Sequence, residues 1–310
     1  MEPVITDCTL CPRQCHADRT RGQGFCGGGG KVKLARAALH SWEEPCISGK
    51  KGSGTVFFSG CPLQCCFCQN YPISCENYGA EIPVERLAEI FLELQGQGAH
   101  NINLVSAGHY APWVAEALRL CGDKLSIPVV YNSGGYESVN TLRLLEGKVD
   151  VYLPDLKYAD QERALRYSGA ADYFPVAAAA IREMVRQVGL PVFDKEGMLQ
   201  KGVVIRHLVL PGGMKDSMSV LDWVARSFRP GEVLISLMSQ YTPFYRSREF
   251  QELGRRVSTY EYNKVAGYMM DLGLTQGFMQ ERSSAKEEYT PEFALQGVFA
   301  PASEEKRDHC

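Results

Sequence analysis

The chain lacks what would commit it to a membrane or to a polyanion. No run approaches the roughly 18 consecutive apolar residues of a membrane-spanning helix. The opening MEPVITDC carries no apolar core of signal-peptide length. With 33 Lys and Arg against 36 Asp and Glu, the formal net charge of -3 gives no reason to expect a nucleic-acid partner for the whole surface. Three chemical signatures are also missing: Gly-x-Ser-x-Gly, His-Glu-x2-His and a phosphate loop. Beyond residue 75 cysteine nearly disappears, with only Cys121 and Cys310. These absences predict a cytoplasmic protein with no membrane partner. In that compartment its 12 cysteines are thiols or metal ligands rather than structural disulfides.

Cysteine is plentiful where it does occur. Ten of the 12 lie in the first 75 residues, and four fall within the eight residues from Cys61 to Cys68. They follow the apolar run Thr55, Val56, Phe57 and Phe58, which reads as a strand ended by Gly60. The spacing Cys61-x3-Cys65-x2-Cys68 offers three thiolates from one loop, suited to zinc or to iron–sulfur ligation. A closed structural zinc site uses four ligands, whereas a reactive centre keeps one position open. Three thiolates therefore favour the open centre, with a zinc knuckle as the competing reading. Cys66 would spoil the x2 interval if it replaced Cys65, so it reads as a small buried side chain.

Residues 1–48 form a second cysteine-rich segment, Cys8-x2-Cys11-x3-Cys15-x10-Cys26, followed by four glycines. So short and glycine-rich a segment builds little apolar core, and a bound metal is expected to hold it. Zinc and a second iron–sulfur cluster both fit. Arg13, Arg19, Arg21, Lys31, Lys33 and Arg36 make the segment basic; a solvated face is preferred to a nucleic-acid site.

From Val32 onward strands and helices alternate. A strand is expected over 32–40. Six more are expected at about 55–59, 101–105, 127–131, 149–153, 203–210 and 233–238. Helices are expected near 81–98, 112–120, 137–145, 161–167, 175–189, 215–228, 246–255 and 259–272. Such alternation implies a parallel sheet with right-handed crossovers. Polar residues follow the C-terminal ends of the strands: Ser106 and His109, Asn132 and Ser133, Asp155 and Lys157, and Ser239, Gln240 and Tyr241. Arg206 and His207 lie inside the fifth strand. One central site fed by every strand suits a barrel better than a doubly wound sheet. The expected fold is thus α/β: a partial (β/α)6 TIM-like barrel over 49–283, a small N-terminal module over 1–48, and an extension over 284–310 that is disordered at its end.

The Cys-x3-Cys-x2-Cys loop, with the aromatic Phe67 just before its last cysteine, resembles the signature of the radical S-adenosylmethionine (radical SAM) superfamily. The stretches WEEPCISGKKGSGTVFFSGC, CFCQNYPIS, PVVYNSGGYES, DVYLPDLKY and IRHLVLPGG, with the N-terminal CTLCPRQC and GQGFCG, resemble its members related to the pyruvate formate-lyase activating enzyme (PflX-type). The likeness spans roughly residues 8–283. Two departures stand out. Cys46 occupies a usual proline position, and Ser106-Ala-Gly-His109 replaces a Thr-Pro-Thr-His-like run.

The resemblance implies that Cys61, Cys65 and Cys68 hold a [4Fe-4S] cluster whose fourth iron chelates SAM. It implies that Phe67 touches adenine, that Ser106 and His109 serve the SAM amino group, and that Asp155 and Lys157 serve its carboxylate and a cation. Asn132 and Ser133 have short polar side chains suited to ribose hydroxyls, and Arg206 could clamp a carboxylate. His207 should point away from Arg206; Gln240 and Tyr241 are placed on the substrate side. The implied activity is reductive SAM cleavage to a 5′-deoxyadenosyl radical that abstracts hydrogen, here from a protein or peptide. The implied electron donor is a flavodoxin or ferredoxin. A small-molecule substrate and a non-catalytic zinc scaffold are the alternatives.

Overall fold

The computed structural model describes residues 2–280 and 291–300. Among the described residues there are ten strands: β1 (Val32–His40), β2 (Ser53–Phe58), β3 (Ala80–Ile82), β4 (Ile102–Val105), β5 (Val129–Ser133), β6 (Val151–Pro154), β7 (Val192–Phe193), β8 (Leu199–Leu208), β9 (Leu234–Met238) and β10 (Gly277–Met279). They form one sheet in the order β10-β9-β8-β6-β5-β4-β2-β1-β3, with β7 paired to β8. The six barrel strands expected from sequence are β2, β4, β5, β6, β8 and β9, adjacent and parallel. A parallel β10 adds a seventh. β1 runs antiparallel to β2, and β3 antiparallel to β1. The sheet keeps two edges, so the mixed α/β fold is a partial TIM-like barrel.

Helices cover its outer face, including Val84–Gly96, Ala111–Cys121, Tyr173–Val188, Met214–Ser227 and Thr259–Asp271. Their apolar stripes pack on the outward residues of the strands, such as Val56, Leu104, Tyr131, Tyr152 and Ile205. The helix expected over 246–255 does not form. Two 3₁₀ turns, Ser247–Glu249 and Gln251–Leu253, stand there instead. The apolar residues Phe250 and Leu253 are three apart, which suits the tighter repeat.

The inward face is layered. At the bottom, Val130, Val151, Leu153, Val204 and Leu234 make a small apolar cluster with Cys46 and Ile47. Those two residues belong to the short helix Pro45–Ser48. Because β1 is antiparallel to β2, its end at His40 lies beside Ser53, the start of β2. The β1–β2 connection therefore enters the barrel from the N-terminal end and plugs it. Asn101 secures the plug, donating from Nδ2 to the Ile47 carbonyl at 2.8 Å and accepting from Ser53 Oγ at 2.6 Å.

Residues 291–300 return across β1. Leu295 N–H donates to Ala35 O at 3.0 Å and Ala37 N–H to Gln296 O at 2.8 Å. Arg86 donates to the carbonyls of Gly297, Val298 and Phe299. The end of the expected extension, 301–310, lies outside the described residues.

Candidate active site

A cavity of about 240 Å3 opens at the C-terminal ends of the parallel strands. Cys61, Cys65 and Cys68 all line it, on the loop that follows β2. Gly60 starts that loop at φ 88°, and an added Cβ there would run into the Cys26 carbonyl, so glycine is required. Each thiol is held. Leu63 N–H approaches Cys61 Sγ at 3.4 Å, Ser168 Oγ donates to Cys65 Sγ at 3.0 Å, and Ser74 Oγ lies 3.1 Å from Cys68 Sγ. Burial pushes the Cys68 thiol up to about 12, and the neighbouring Cys65 adds to this. Burial and the same neighbour raise Cys61 too. Cys61 and Cys68, raised by burial and by the neighbouring Cys65, would ionise more readily with a cation beside them. Cys66 is buried beside the loop and does not line the cavity, as the spacing suggested. Cys75 was not singled out by sequence; it sits next to Ser74, its Sγ 3.5 Å from that hydroxyl.

Above the apolar plug the cavity floor is charged. Alternation along β8 and past the end of β6 turns Arg206 and Asp155 inward. Asp155 accepts from Arg206 Nε at 2.9 Å and from Lys157 Nζ at 2.5 Å. Burial would raise the Asp155 carboxyl, but the charges of Arg206 and Lys157 hold it below the usual carboxylate value. Arg206 Nη2 also donates to Asn132 Oδ1 at 2.6 Å, and Nη1 stands 3.4 Å from Glu43 Oε2. Its fork is thus committed to Asp155, Asn132 and Glu43, so the carboxylate it clamps is the protein's own. Glu43 is the residue that sequence reasoning missed. Delivered by the plug, it accepts from Asn132 Nδ2 at 3.3 Å and lines the cavity. Burial pushes its carboxyl up, against the pull of Arg206.

Phe67, Ser106, Ser133 and Gln240 also line the cavity. Phe67 meets Tyr158 and Tyr241 edge to face at 6.4 and 6.0 Å. Ser106 takes a left-handed φ of 60°, with its N–H bound to Asn132 O at 2.8 Å. Ser133 Oγ accepts from Gly135 N–H at 3.2 Å, so it caps its own turn. The structure does not bring His109 to this cavity. Its ring is buried with Nε2 2.8 Å from Ser59 O, and burial pushes its pKa down to about 3. His207 points outward, bound to Leu156 O and Ser217 Oγ. Tyr241 is buried and donates to Leu253 O at 2.8 Å. Among the described residues, no three His, Cys, Asp or Glu side chains are set to grip a single metal ion.

The family model for the radical SAM superfamily matches residues 55–224, more than half of the chain. The chain belongs to the radical SAM superfamily. The uncharacterized protein MJ0674 of Methanocaldococcus jannaschii is 30% identical over 275 residues, covering 84% of this chain and 74% of its own length. Among solved structures, a domain of a pyruvate-formate lyase-activating enzyme from Bacteroides vulgatus shares 14% identity at a TM-score of 0.40. It covers 56% of this chain and 92% of that one. Methylornithine synthase shares 16% identity at a TM-score of 0.49, covering 76% of this chain and 63% of that one. Superfamily membership implies a [4Fe-4S] cluster and SAM. The residues of this radical SAM protein fit them: the buried thiol of Cys65 and the half-buried thiols of Cys61 and Cys68 share one cavity wall, and fixed charges of both signs lie beside them. Among the described residues no helix is long and apolar enough to cross a membrane.

Proposed function

We propose that this chain is an activating-enzyme-like radical SAM enzyme. Cys61, Cys65 and Cys68 would hold the cluster; Phe67, Ser106, Asn132, Asp155 and Lys157 would face the cofactor. Bound there, the cluster and SAM supply one-electron cleavage of the S–C5′ bond and a primary carbon radical able to take a hydrogen atom. The chain's own residues do the rest. Asp155 and Lys157 present opposite charges to a ligand that carries both an amino group and a carboxylate. Glu43 and Asn132 keep Arg206 in place, so the floor stays ordered before anything binds. Phe67 is braced by two tyrosines and offers an apolar face to a planar base. The apolar plug and the helical layer keep water from the floor.

The observation that carries the reading is the meeting of three cysteines from one loop with the charged ends of β6 and β8 in one cavity. A protein or peptide substrate is the finer part of the proposal. It is supported by a cavity wall that reaches the surface at Trp42, a residue 58% exposed. Anaerobic protein reconstituted with iron and sulfide should convert SAM to 5′-deoxyadenosine and methionine when reduced. Cys61→Ala, Cys65→Ala and Cys68→Ala should each abolish this. Reconstituted protein with a full cluster that never cleaves SAM would defeat the proposal. Transfer of deuterium from a captured protein partner into 5′-deoxyadenosine tests the substrate class.

A further inference from the structure

The N-terminal cysteines take no part in the site described so far, yet they are built onto it. Cys8, Cys11 and Cys26 are buried and Cys15 is half-buried. Two of the sulfurs border one space: a Cβ added to Gly24 would lie 3.3 Å from Cys15 Sγ and 3.7 Å from Cys26 Sγ. Gly28 N–H points at Cys26 Sγ at 3.4 Å. The turns between the cysteines are tight. Gln14 and His16 adopt left-handed φ of 41° and 55°, and their N–H groups bind Cys11 O and Cys8 O, both at 3.0 Å. Four cysteine sulfurs held by one short segment suit a soft metal centre.

The second observation is where this segment is seated. Cys61 N–H donates to Cys26 O at 3.0 Å. Gln64 Nε2 donates to Phe25 O at 3.1 Å, and Arg13 Nε to Pro62 O at 2.9 Å. Arg13 also donates to Ser168 O at 3.0 Å, and the hydroxyl of Ser168 donates to Cys65 Sγ. The Cys61–Gln64 stretch thus leans on the cysteine segment at three points, one of them the backbone of Cys26 itself. A centre that only stabilised the segment would not need to touch the other cysteine loop. One that passes electrons would, because electron transfer runs efficiently through short bonded and hydrogen-bonded links.

We propose that Cys8, Cys11, Cys15 and Cys26 hold a second [4Fe-4S] cluster, and that this cluster is the electron entry port. One electron from a flavodoxin- or ferredoxin-class donor reduces it from the 2+ to the 1+ state. Its return to 2+ delivers the same electron across the Cys26–Cys61 hydrogen bond to the cluster at Cys61, Cys65 and Cys68. No proton or bond changes hands. The electron-entry role rests on the radical SAM reading above; the metal site does not.

The test uses the full chain, reconstituted anaerobically with iron and sulfide. Wild type should bind about eight iron and eight sulfide per chain. The triple variant Cys61→Ala/Cys65→Ala/Cys68→Ala should keep about four of each and show a reducible cluster signal in electron paramagnetic resonance. The variant Cys8→Ser/Cys11→Ser should fall to about four iron. In it, the ratio of flavodoxin-driven to dithionite-driven SAM cleavage should drop at least tenfold. The triple variant keeps the N-terminal cysteines intact, so the site is read even if the Cys8/Cys11 variant does not fold. About four iron plus one zinc in wild type, or an iron-free triple variant, would overturn the proposal while leaving SAM cleavage intact. An unchanged donor ratio would overturn the entry-port role. Failure of the radical SAM reading shows differently, as a wild type with both clusters that cleaves no SAM.

Discussion

At the scale of single residues, the charged floor shows how burial sets chemistry. Buried ion pairs are costly to expose and costly to break, and Asp155 keeps its charge only because Arg206 and Lys157 both face it. Glu137 is the opposite case. It is buried and, among the described residues, has no cationic partner at bonding distance; it accepts from Tyr131 Oη at 3.1 Å, and burial pushes its carboxyl up to about 7. The unfolded chain ionises this group near 4.5, while the folded chain keeps its proton until about 7. Between those values the unfolded state binds fewer protons, so this group makes stability fall as pH rises. Glu137→Gln removes that slope. Relative to wild type, the variant should gain up to about 3 kcal/mol between pH 4.5 and 7, read from urea unfolding midpoints. A pH-independent difference between the two would refute the assignment. Cys61, Cys65, Cys68, Asn132, Asp155 and Lys157 were legible in the sequence because each follows or ends a strand whose direction is plain. Glu43 was not, because it reaches the floor from the far end of the barrel. His109 looked like a site residue because it follows β4. The turn Gly108–Tyr110 instead swings its ring to the Ser59 carbonyl.

The plug is the element that unites fold and site. Four residues at Pro45–Ser48 close the barrel bottom, and the preceding residue pair supplies a cavity carboxylate. Ile47 is fully buried among Val130, Val151, Val204 and Leu234. Truncating it should cost about 2–4 kcal/mol in chemical denaturation. Because Glu43 rides on the same connection, Ile47→Ala should also weaken binding of S-adenosylhomocysteine, measured by calorimetry. An equally destabilising change on an outer helix, such as Leu221→Ala, should leave that binding unaltered. Equal losses from both would show that the plug does not position the floor. Nothing in WEEPCIS announces this role. Its few apolar residues show no periodicity, and only the antiparallel β1 sends them into the barrel. The three-residue strands β3 and β10 and the two-residue β7 were missed for a related reason: a strand that short carries no alternation to read.

Across the whole molecule, the last described segment returns to the barrel's β1 side. Residues 291–300 pair with β1, bury Val298 and satisfy the guanidinium of Arg86, while Phe293 meets Phe57 edge to face at 5.4 Å. Pro291 lines the cavity. A chain cut after residue 290 should therefore lose about 2–4 kcal/mol of stability through exposed apolar surface and unpaired donors. Its unfolding midpoint in urea measures this; an unchanged midpoint would show that the strap adds nothing. The strap is illegible in sequence because its partners are 200 and more residues away.

The periodic alternation of apolar runs and helical stripes was enough to determine a parallel α/β sheet, because each element buries one face and carries its own signal, and the polar residues at the strand ends pointed to a barrel. Cysteine spacing was enough to determine a three-thiolate loop. Which groups share the cavity, which of them neutralise each other, and which turn aside were decided only when β1 reversed direction and the sheet curled. Those relations depend on distances between residues remote in sequence, and no local pattern encodes them.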